Sequence, residues 1–346
     1  MNYKMKTIAV AAMSLAFAGA ALAQADVSFY GRANVSVESQ KVGSVSETAF
    51  VDNSSRFGIR AKHAIPNGMT VGTTLEAATN LTTGSTNSKL FAREASVHLA
   101  GNFGQLKLGK LPGSAAYFAT ADYVSNHNHD TGTSSDALWD YPAAFQLEQA
   151  IAYTSPKISG VTFEAQYGLK KGNASGDTSS ANVGPISLAA NYALGTLQLG
   201  LGHERGSNVF TDGDTTDTMD ATTLRAYYTM GSLGFGGYVQ KTTGTNADRT
   251  AIRLSAMYTV GQNEYHVNYG SAGNRASAAN TGAKQFTVAY NYNLDKQTKV
   301  YIMYTKIDQE SGTHWYQDKY ASRFINSAAS DGNTLSSVGA GIRYNF

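Results

Sequence analysis

Apolar and polar side chains alternate with a period of two residues through most of this sequence. In residues 161–169 the odd positions are apolar or aromatic, and the even positions are mostly polar. The same pattern recurs in residues 186–194, 252–260 and 286–294. Because successive side chains of a strand point to opposite faces, this period predicts β-strands with one apolar face and one polar face.

The chemistry of the two faces favours a membrane barrel over a soluble sandwich. The polar face carries full charges inside the strands, such as Glu164, Arg225 and Arg253, and the apolar face often ends in Tyr or Phe. A barrel in an outer membrane presents an apolar band to lipid, a polar interior to water and aromatic girdles at both interfaces. Closure also pairs every backbone group within the lipid. We therefore expect an all-β fold, a transmembrane antiparallel β-barrel.

The connections between strands alternate in length. Short turns, such as residues 66–68 and 231–232, separate longer stretches rich in Gly, Ser, Thr, Asn and Asp. The long loops are expected at residues 41–53, 79–89, 172–184, 206–220, 242–248, 271–282 and 308–333. Short turns on one side and long loops on the other are typical of bacterial barrels, whose strand number is even. We count sixteen predicted strands in the sequence.

Residues 111–147 form the longest segment without alternation, and this segment is the third of the long loops along the chain. Long loops inside compact structures are usually functional or disordered. The aromatic residues Tyr117, Phe118 and Tyr123 indicate that this loop packs against something, so we expect it to fold into the lumen as a constriction loop. Its candidate acids for a narrow passage are Asp122, Asp130, Asp136 and Asp140.

The N-terminal segment has the three parts of a secretory signal peptide. Lys4 and Lys6 precede an uncharged apolar stretch, and Ala21-Leu22-Ala23 gives a small-residue cleavage pattern. A retained membrane anchor is the alternative, but the apolar stretch is shorter than the roughly 20 residues that a spanning helix needs. We expect residues 1–23 to be a signal peptide and residues 24–346 to be a single barrel.

Charge and cysteine content exclude several classes of function. Loss of two lysines from the 27 basic residues leaves 25, equal to the 25 acidic residues. A balanced chain argues against a nucleic-acid partner, which calls for a basic excess or stripe. The absence of cysteine excludes disulfides and cysteine-based metal sites.

Metal binding and catalysis find little support in the sequence. His127 and His129 are spaced for a metal, but a polar loop tip is the better interpretation because no further ligand motif accompanies them. A pH-sensitive loop is a third interpretation. No G-x-S-x-G or similar nucleophile context is present. We expect no metal, no cofactor and no enzymatic activity.

Six stretches, in chain order, resemble the general bacterial porins of the trimeric, sixteen-stranded kind, of the type found in neisserial and related β-proteobacterial outer membranes. They are VSFYGRANVSV (27–37), SSRFGIRAK (54–62), LEAATNLTTG (75–84), LFAREASVHLAGNFGQLKLGK (90–110), AYTSPKISGVTFEAQY (152–167) and AYNYNLDKQTKVYIMY (289–304). The terminal Phe346 resembles the signal that the barrel-insertion machinery reads in this family. The set is specific because it runs from end to end in order.

The resemblance implies a homotrimer of water-filled channels in the outer membrane of a Gram-negative cell, surrounded by lipid and lipopolysaccharide. Ions and small hydrophilic solutes would diffuse passively through each channel. Basic residues on the barrel wall would face acids on the third loop. By position, the wall cations are Arg32, Arg56, Arg93 and Lys110. Relatives often carry an Arg where this chain has Gln146, and this departure argues against a strong anion preference.

Alternation agrees with part of this assignment. Arg32 and Arg56 lie on the polar parity of their strands, whereas Arg93 shares a parity with apolar residues. Either a bulge resets that strand or Arg93 faces a subunit interface. Other residues expected to face the lumen are Arg60, Lys62, Glu76 and Arg343.

Two alternative functions stay open at the level of sequence. One is a substrate-selective channel, which needs a ligand-specific site on the third loop. The other is a surface-binding or adhesion barrel with a closed pore, suggested by the aromatic residues of the last long loop. These are Trp315, Tyr316, Tyr320 and Phe324.

Overall fold

A computed structural model describes residues 25–124, 138–143, 146–169, 184–207, 217–312 and 332–346. The expected signal peptide lies outside these residues. Asp130, Asp136, His127 and His129 also lie outside them, as do the aromatic residues of the last long loop.

The described residues form eighteen strands. The first nine are β1 (Asp26–Val42), β2 (Val45–Asp52), β3 (Arg56–Ile65), β4 (Met69–Asn80), β5 (Ser85–Thr86), β6 (Glu94–Gly101), β7 (Gly104–Lys110), β8 (Ala150–Thr154) and β9 (Val161–Gly168). The second nine are β10 (Ile186–Leu194), β11 (Leu197–Ser207), β12 (Thr218–Met230), β13 (Leu233–Thr243), β14 (Arg249–Val260), β15 (Asn263–Ala272), β16 (Ala283–Asn293), β17 (Thr298–Gln309) and β18 (Leu335–Asn345).

Two short helices, α1 (Ala115–Ala119) and α2 (Ala121–Val124), lie in the third loop, and a 3-10 turn (Pro66–Gly68) joins β3 to β4. No helix in the described part of the chain is long and apolar enough to cross a membrane.

The strands close into a ring. Each wall strand pairs antiparallel with its neighbours in the chain, and β18 returns to pair with β1, from Arg32 opposite Asn345 to Val42 opposite Leu335. β2 and β3 pair with the two ends of β1 and so occupy one place in the ring. β5 is a two-residue strand paired only to the end of β4 among the described residues. The wall therefore has sixteen strands, which confirms the predicted closed antiparallel barrel.

The two faces of the wall differ as alternation predicted. On β18, Val338, Ile342 and Tyr344 are exposed on the outer surface, while Ser337 and Arg343 are buried on the inner side. This contrast follows from the lipid outside, which solvates apolar side chains but not polar ones.

The segment 41–53 differs from the expectation of a long loop. β1 runs on to Val42, and β2 pairs back along it after a tight turn in which Gly43 has a φ of 58°. The polar composition was misleading because a strand that continues beyond the lipid needs no apolar face. The chain leaves the sheet only at the next break, where Ser54 has a φ of 59°.

The third loop folds into the barrel and packs against its inner wall. α1 packs on β10 and β11, and α2 packs on β12, β13 and β14. Inward-facing glycines on β11 make room for α1, since a Cβ at Gly202 would lie 2.7 Å from the Ala116 Cβ. Polar wall side chains hold the start of α1, for Ala116 N donates to Ser187 Oγ at 3.0 Å and Ala115 N donates to Gln166 Oε1 at 3.1 Å.

Candidate channel constriction

A carboxylate, Glu76, stands at the centre of the basic wall. Arg93 Nε donates to Glu76 Oε1 at 2.6 Å, and Arg56 NH1 lies 3.9 Å from the same oxygen. Tyr30 OH donates to Glu76 Oε2 at 2.9 Å. The register of β1, β3 and β4 brings these residues together, because Gly58 is the partner of both Tyr30 and Glu76. Two guanidinium groups therefore share one carboxylate, whose side chain is only 11% exposed.

The placement of Arg93 explains its unexpected parity. β6 begins at Glu94, so Arg93 lies just before the strand, where strict alternation does not apply. Its backbone N–H donates to Glu76 O at 3.1 Å, and its side chain turns toward Glu76 on the inner side. Within β6, Glu94 and Ser96 are buried on the inner face and Val97 is exposed on the outer face.

The other wall cations lie close to this centre. Arg32 is the direct partner of Arg56 across β1 and β3, and its Nε donates to Asn345 Oδ1 at 3.1 Å. Arg343 Nε reaches the same Asn345 oxygen at 3.4 Å. The Arg60 guanidinium stacks 3.7 Å above the centre of the Tyr30 ring. Arg60 and Lys62 are both exposed at the inner surface of β3.

Lys110 is paired with an acid that the resemblance does not include. Its Nζ lies 2.8 Å from Glu148 Oε1, and Lys89 Nζ lies 3.0 Å from the same oxygen. The hydrogen bond from Lys110, together with that from Lys89, lowers the pKa of the Glu148 carboxyl below its usual range. Gln146 donates its side-chain amide to Arg93 O at 3.1 Å, so this residue braces the loop instead of adding charge.

The two described loop acids have different surroundings. Asp122 is exposed in the first turn of α2. Asp140 is buried, with a side chain 1% exposed, and its Oδ1 lies 2.8 Å from Arg249 NH2 and 3.0 Å from Arg275 NH2. Thr242 Oγ1 also donates to Asp140 Oδ2 at 2.8 Å. This placement corrects the expectation for Asp140, because a carboxylate buried between Arg249 of β14 and Arg275 of the connection after β15 ties the third loop to the barrel and does not face the passage.

Sequence patterns alone gave no functional role to the arginines that lie near the third loop. Arg225 and Arg253 were recognised as members of the polar face, and alternation alone places them inside the barrel. Their contacts with the third loop depend on how the loop folds, and no local sequence pattern predicts those contacts. Arg249 and Arg275 were missed for the same reason, since each meets Asp140 across more than a hundred residues of chain.

The basic wall and the loop helices occupy different parts of the ring. The basic residues lie on β1, β3 and the β4–β6 pair, at the first places of the sixteen, whereas α1 and α2 lie against β10 to β14. In a ring of sixteen these sectors face each other, so a passage runs between a cationic wall and the exposed surface of the loop.

Among the described residues, no group of three or more His, Asp or Glu side chains is arranged to hold a metal ion. The aromatic residues that suggested an adhesion barrel lie outside the described residues, so that hypothesis stays a prediction.

Comparison with known proteins decides the family. Residues 9–312 match the Gram-negative porin family. The chain belongs to this family. It therefore forms an outer-membrane channel for passive diffusion and is not an enzyme.

Individual relatives are distant but cover nearly the whole chain. The chain is similar to outer membrane porin protein 32 of Delftia acidovorans, with 26% identity over 322 residues that cover 86% of this chain and 88% of the relative. It is also similar to an outer membrane porin protein of Bordetella pertussis, with 23% identity, covering 99% of this chain and 100% of the relative.

Two solved structures share the fold. The anion-selective porin from Comamonas acidovorans matches with a TM-score of 0.76 and 20% identity, covering 93% of this chain and 100% of that one. The trimer form of OmpT from Vibrio cholerae matches with a TM-score of 0.65 and 18% identity, covering 93% of this chain and 99% of that one.

Proposed function

We propose that this porin is a homotrimer of water-filled channels for ions and small hydrophilic solutes, and that its basic wall gives each channel a modest preference for anions. The observation that carries this proposal is the cluster around Glu76. Arg93 and Arg56 lie within ion-pair distance of this carboxylate, Arg32 is the strand partner of Arg56, and Arg60 stacks on Tyr30, which donates to the same carboxylate. Charged groups that line a narrow pore set its ion selectivity.

The preference is modest because acids offset part of the positive charge. Two unit charges about 4 Å apart at an effective dielectric near 20 interact by about 4 kcal/mol, so a paired arginine presents a weaker field to a passing ion than an isolated one. Salt screens the exposed groups further. Glu76 offsets Arg93 and Arg56, and Glu148 offsets Lys110. The description of the Comamonas structure as anion-selective supports the direction of the preference.

The remaining parts of the chain have roles outside the passage. Residues 1–23 direct export and are removed, and residues 24–346 form the barrel with residues 111–147 as its constriction loop. Phe346 is the signal for the insertion machinery, and in the folded chain its backbone exchanges hydrogen bonds of 2.9 and 3.1 Å with Gly31 across the seam of the barrel. The apolar outer face lies against lipid, lipopolysaccharide and neighbouring subunits.

A planar-bilayer recording tests the channel and its assembly together. Folded protein added to the bilayer should give conductance steps that close in groups of three, as expected for three channels that insert as one unit. The trimer form of the OmpT structure supports this stoichiometry. Absence of channels from correctly folded trimer would refute the proposal, and single closures only would refute the trimer.

A further inference from the structure

The surface that the third loop turns toward the passage is aromatic. Phe118 is 40% exposed and Tyr123 is 42% exposed, whereas Ala116 and Ala121 on the opposite side of the two helices are buried. The buried side packs on the inner wall of the barrel, and so the two exposed rings face the passage. Large exposed aromatic rings on a surface otherwise lined by polar groups mark a site of contact with apolar ligands.

Further aromatic residues hold this surface in place. Tyr117 meets Phe118 and Trp139 edge-on, with ring centres 5.8 Å apart in both pairs, and Trp139 meets Tyr238 of the wall at 5.3 Å. Tyr123 packs edge-on against Tyr227 of β12 at 5.5 Å. These contacts fix the rings before a solute arrives, which lowers the entropy lost on binding.

Among the described residues, a positive charge without an acidic partner lies directly beneath Tyr123. The guanidinium carbon of Arg225 is 3.9 Å from the centre of the Tyr123 ring, and Arg225 is only 4% exposed. Its NH2 donates to Asn191 Oδ1 at 3.3 Å, while Nε and NH1 have no hydrogen-bond partner and no carboxylate forms an ion pair with it in the described part of the chain. Gly200 leaves space for the guanidinium, since a Cβ there would lie 2.8 Å from Arg225 Nε.

We propose that Phe118, Tyr123 and Arg225 form a subsite for small aromatic carboxylates inside the channel. The aromatic ring of the solute packs on Phe118 and Tyr123, and its carboxylate is attracted by Arg225 and by the basic wall across the passage. Asp122 lies on the same exposed surface and opposes this attraction, so the subsite requires the guanidinium groups to outweigh one carboxylate. This inference rests on the proposed channel and names one class of solute that it favours.

Current block in a planar bilayer tests the proposal with matched solutes. Benzoate and cyclohexanecarboxylate carry the same charge on rings of similar size, but only benzoate is aromatic. An aromatic contact contributes about 0.5 to 1.5 kcal/mol beyond area burial, so we expect benzoate to block at a concentration roughly twofold to tenfold lower than cyclohexanecarboxylate. Benzylamine, an aromatic cation, should block more weakly than benzoate. Equal block by the two carboxylates, or stronger block by benzylamine, would overturn the subsite.

Variants of Tyr123 test whether the preference for the aromatic carboxylate arises at this subsite. Tyr123→Leu removes the ring and its stacking on Arg225, and should lower the ratio between the two carboxylates, with Phe118 left as the remaining aromatic contact. Tyr123→Phe keeps the ring and should keep the ratio. Phe163→Leu is the matched control, because it removes an aromatic ring from the outer face of β9. A ratio that survives Tyr123→Leu would place the site elsewhere.

Saturation-transfer NMR on folded protein in detergent measures the same contact without any current. Magnetisation should reach the ring protons of benzoate, and Tyr123→Leu should reduce this transfer while Phe163→Leu should not. Transfer that depends on Tyr123 in a protein that conducts no ions would refute the channel and retain the subsite. Conducting channels with no such transfer would refute the subsite alone.

Discussion

Glu76 is the residue on which the charge of the wall depends. It accepts hydrogen bonds from Arg93 and Tyr30 and lies within ion-pair distance of Arg56. A second carboxylate, Glu94, is its partner across β4 and β6 and is paired with Lys107. Removing its charge while keeping its shape leaves the arginines in place with less compensation. The variant Glu76→Gln therefore changes the charge of the basic wall while keeping the wall's structure.

Glu76→Gln should make the channel more selective for anions. A unit charge about 10 Å from a permeating ion in water changes the energy of that ion by about 0.4 kcal/mol, with opposite signs for anion and cation, so the permeability ratio should rise about fourfold. The zero-current potential in a KCl gradient measures this ratio. Asp220→Asn, which removes a carboxylate from the outer face of β12, is the matched control and should leave the ratio unchanged. An unchanged ratio in Glu76→Gln would show that the pair lies away from the ion path.

Glu148 gives the selectivity a dependence on pH. Its pKa is lowered by hydrogen bonds from Lys110 and Lys89, so its charge, and the stability that these contacts add, are present above the ordinary carboxyl pKa. Both are lost as the pH falls through this lowered pKa, which lies below the ordinary carboxyl value. The anion preference should therefore stay constant from neutral pH to about pH 5 and rise in stronger acid.

The comparison with Glu148→Gln isolates this contribution, since Glu76 also gains a proton in acid. The variant should show the higher anion preference already at neutral pH and a smaller rise in acid. If wild-type protein and Glu148→Gln have the same preference at pH 7, the pairing of Lys110 does not influence the passage.

At the scale of elements, the position of the third loop depends on contacts that its own sequence does not reveal. Its first half is held by hydrogen bonds to Gln166 and Ser187, and its return by the ion cluster of Asp140 with Arg249 and Arg275. These partners come from β9, β10, β14 and the connection after β15, all of which follow the loop in the chain. The position of the loop therefore depends on residues that are distant from it in sequence.

Asp140→Asn should loosen the loop without opening the barrel. Removing one partner from a buried ion cluster costs about 3 to 5 kcal/mol because the remaining charges stay buried without compensation. We expect more frequent current fluctuations in single channels and faster proteolysis within residues 111–147, while the circular dichroism of the strands is unchanged. Asp122→Asn changes an exposed charge on the same loop and should not raise either rate. Equal behaviour of the two variants would mean that the ion cluster does not hold the loop.

At the scale of the whole molecule, sequence periodicity was sufficient to predict the barrel but not the arrangement of the residues in the passage. Alternation identified the sixteen wall strands and the faces of Arg32, Arg56 and Arg343, because each face has a single solvent. It did not place Arg93, which lies one residue before its strand, and it mistook β2 for a loop because strands beyond the lipid lack an apolar face. The burial of Asp140 was not predictable, since its two arginine partners are distant in sequence and meet it only in the folded barrel.

The zero-current potential across a bilayer that separates two KCl concentrations shows whether the basic wall governs the selectivity of this passive channel. For the wild-type channel we expect a modest anion preference. For the double variant Arg32→Gln/Arg56→Gln we expect a shift toward cations, with Lys306→Gln on the outer face of β17 as a control that leaves the potential unchanged. A potential that is the same in the wild type and the double variant would show that the basic wall does not govern the selectivity.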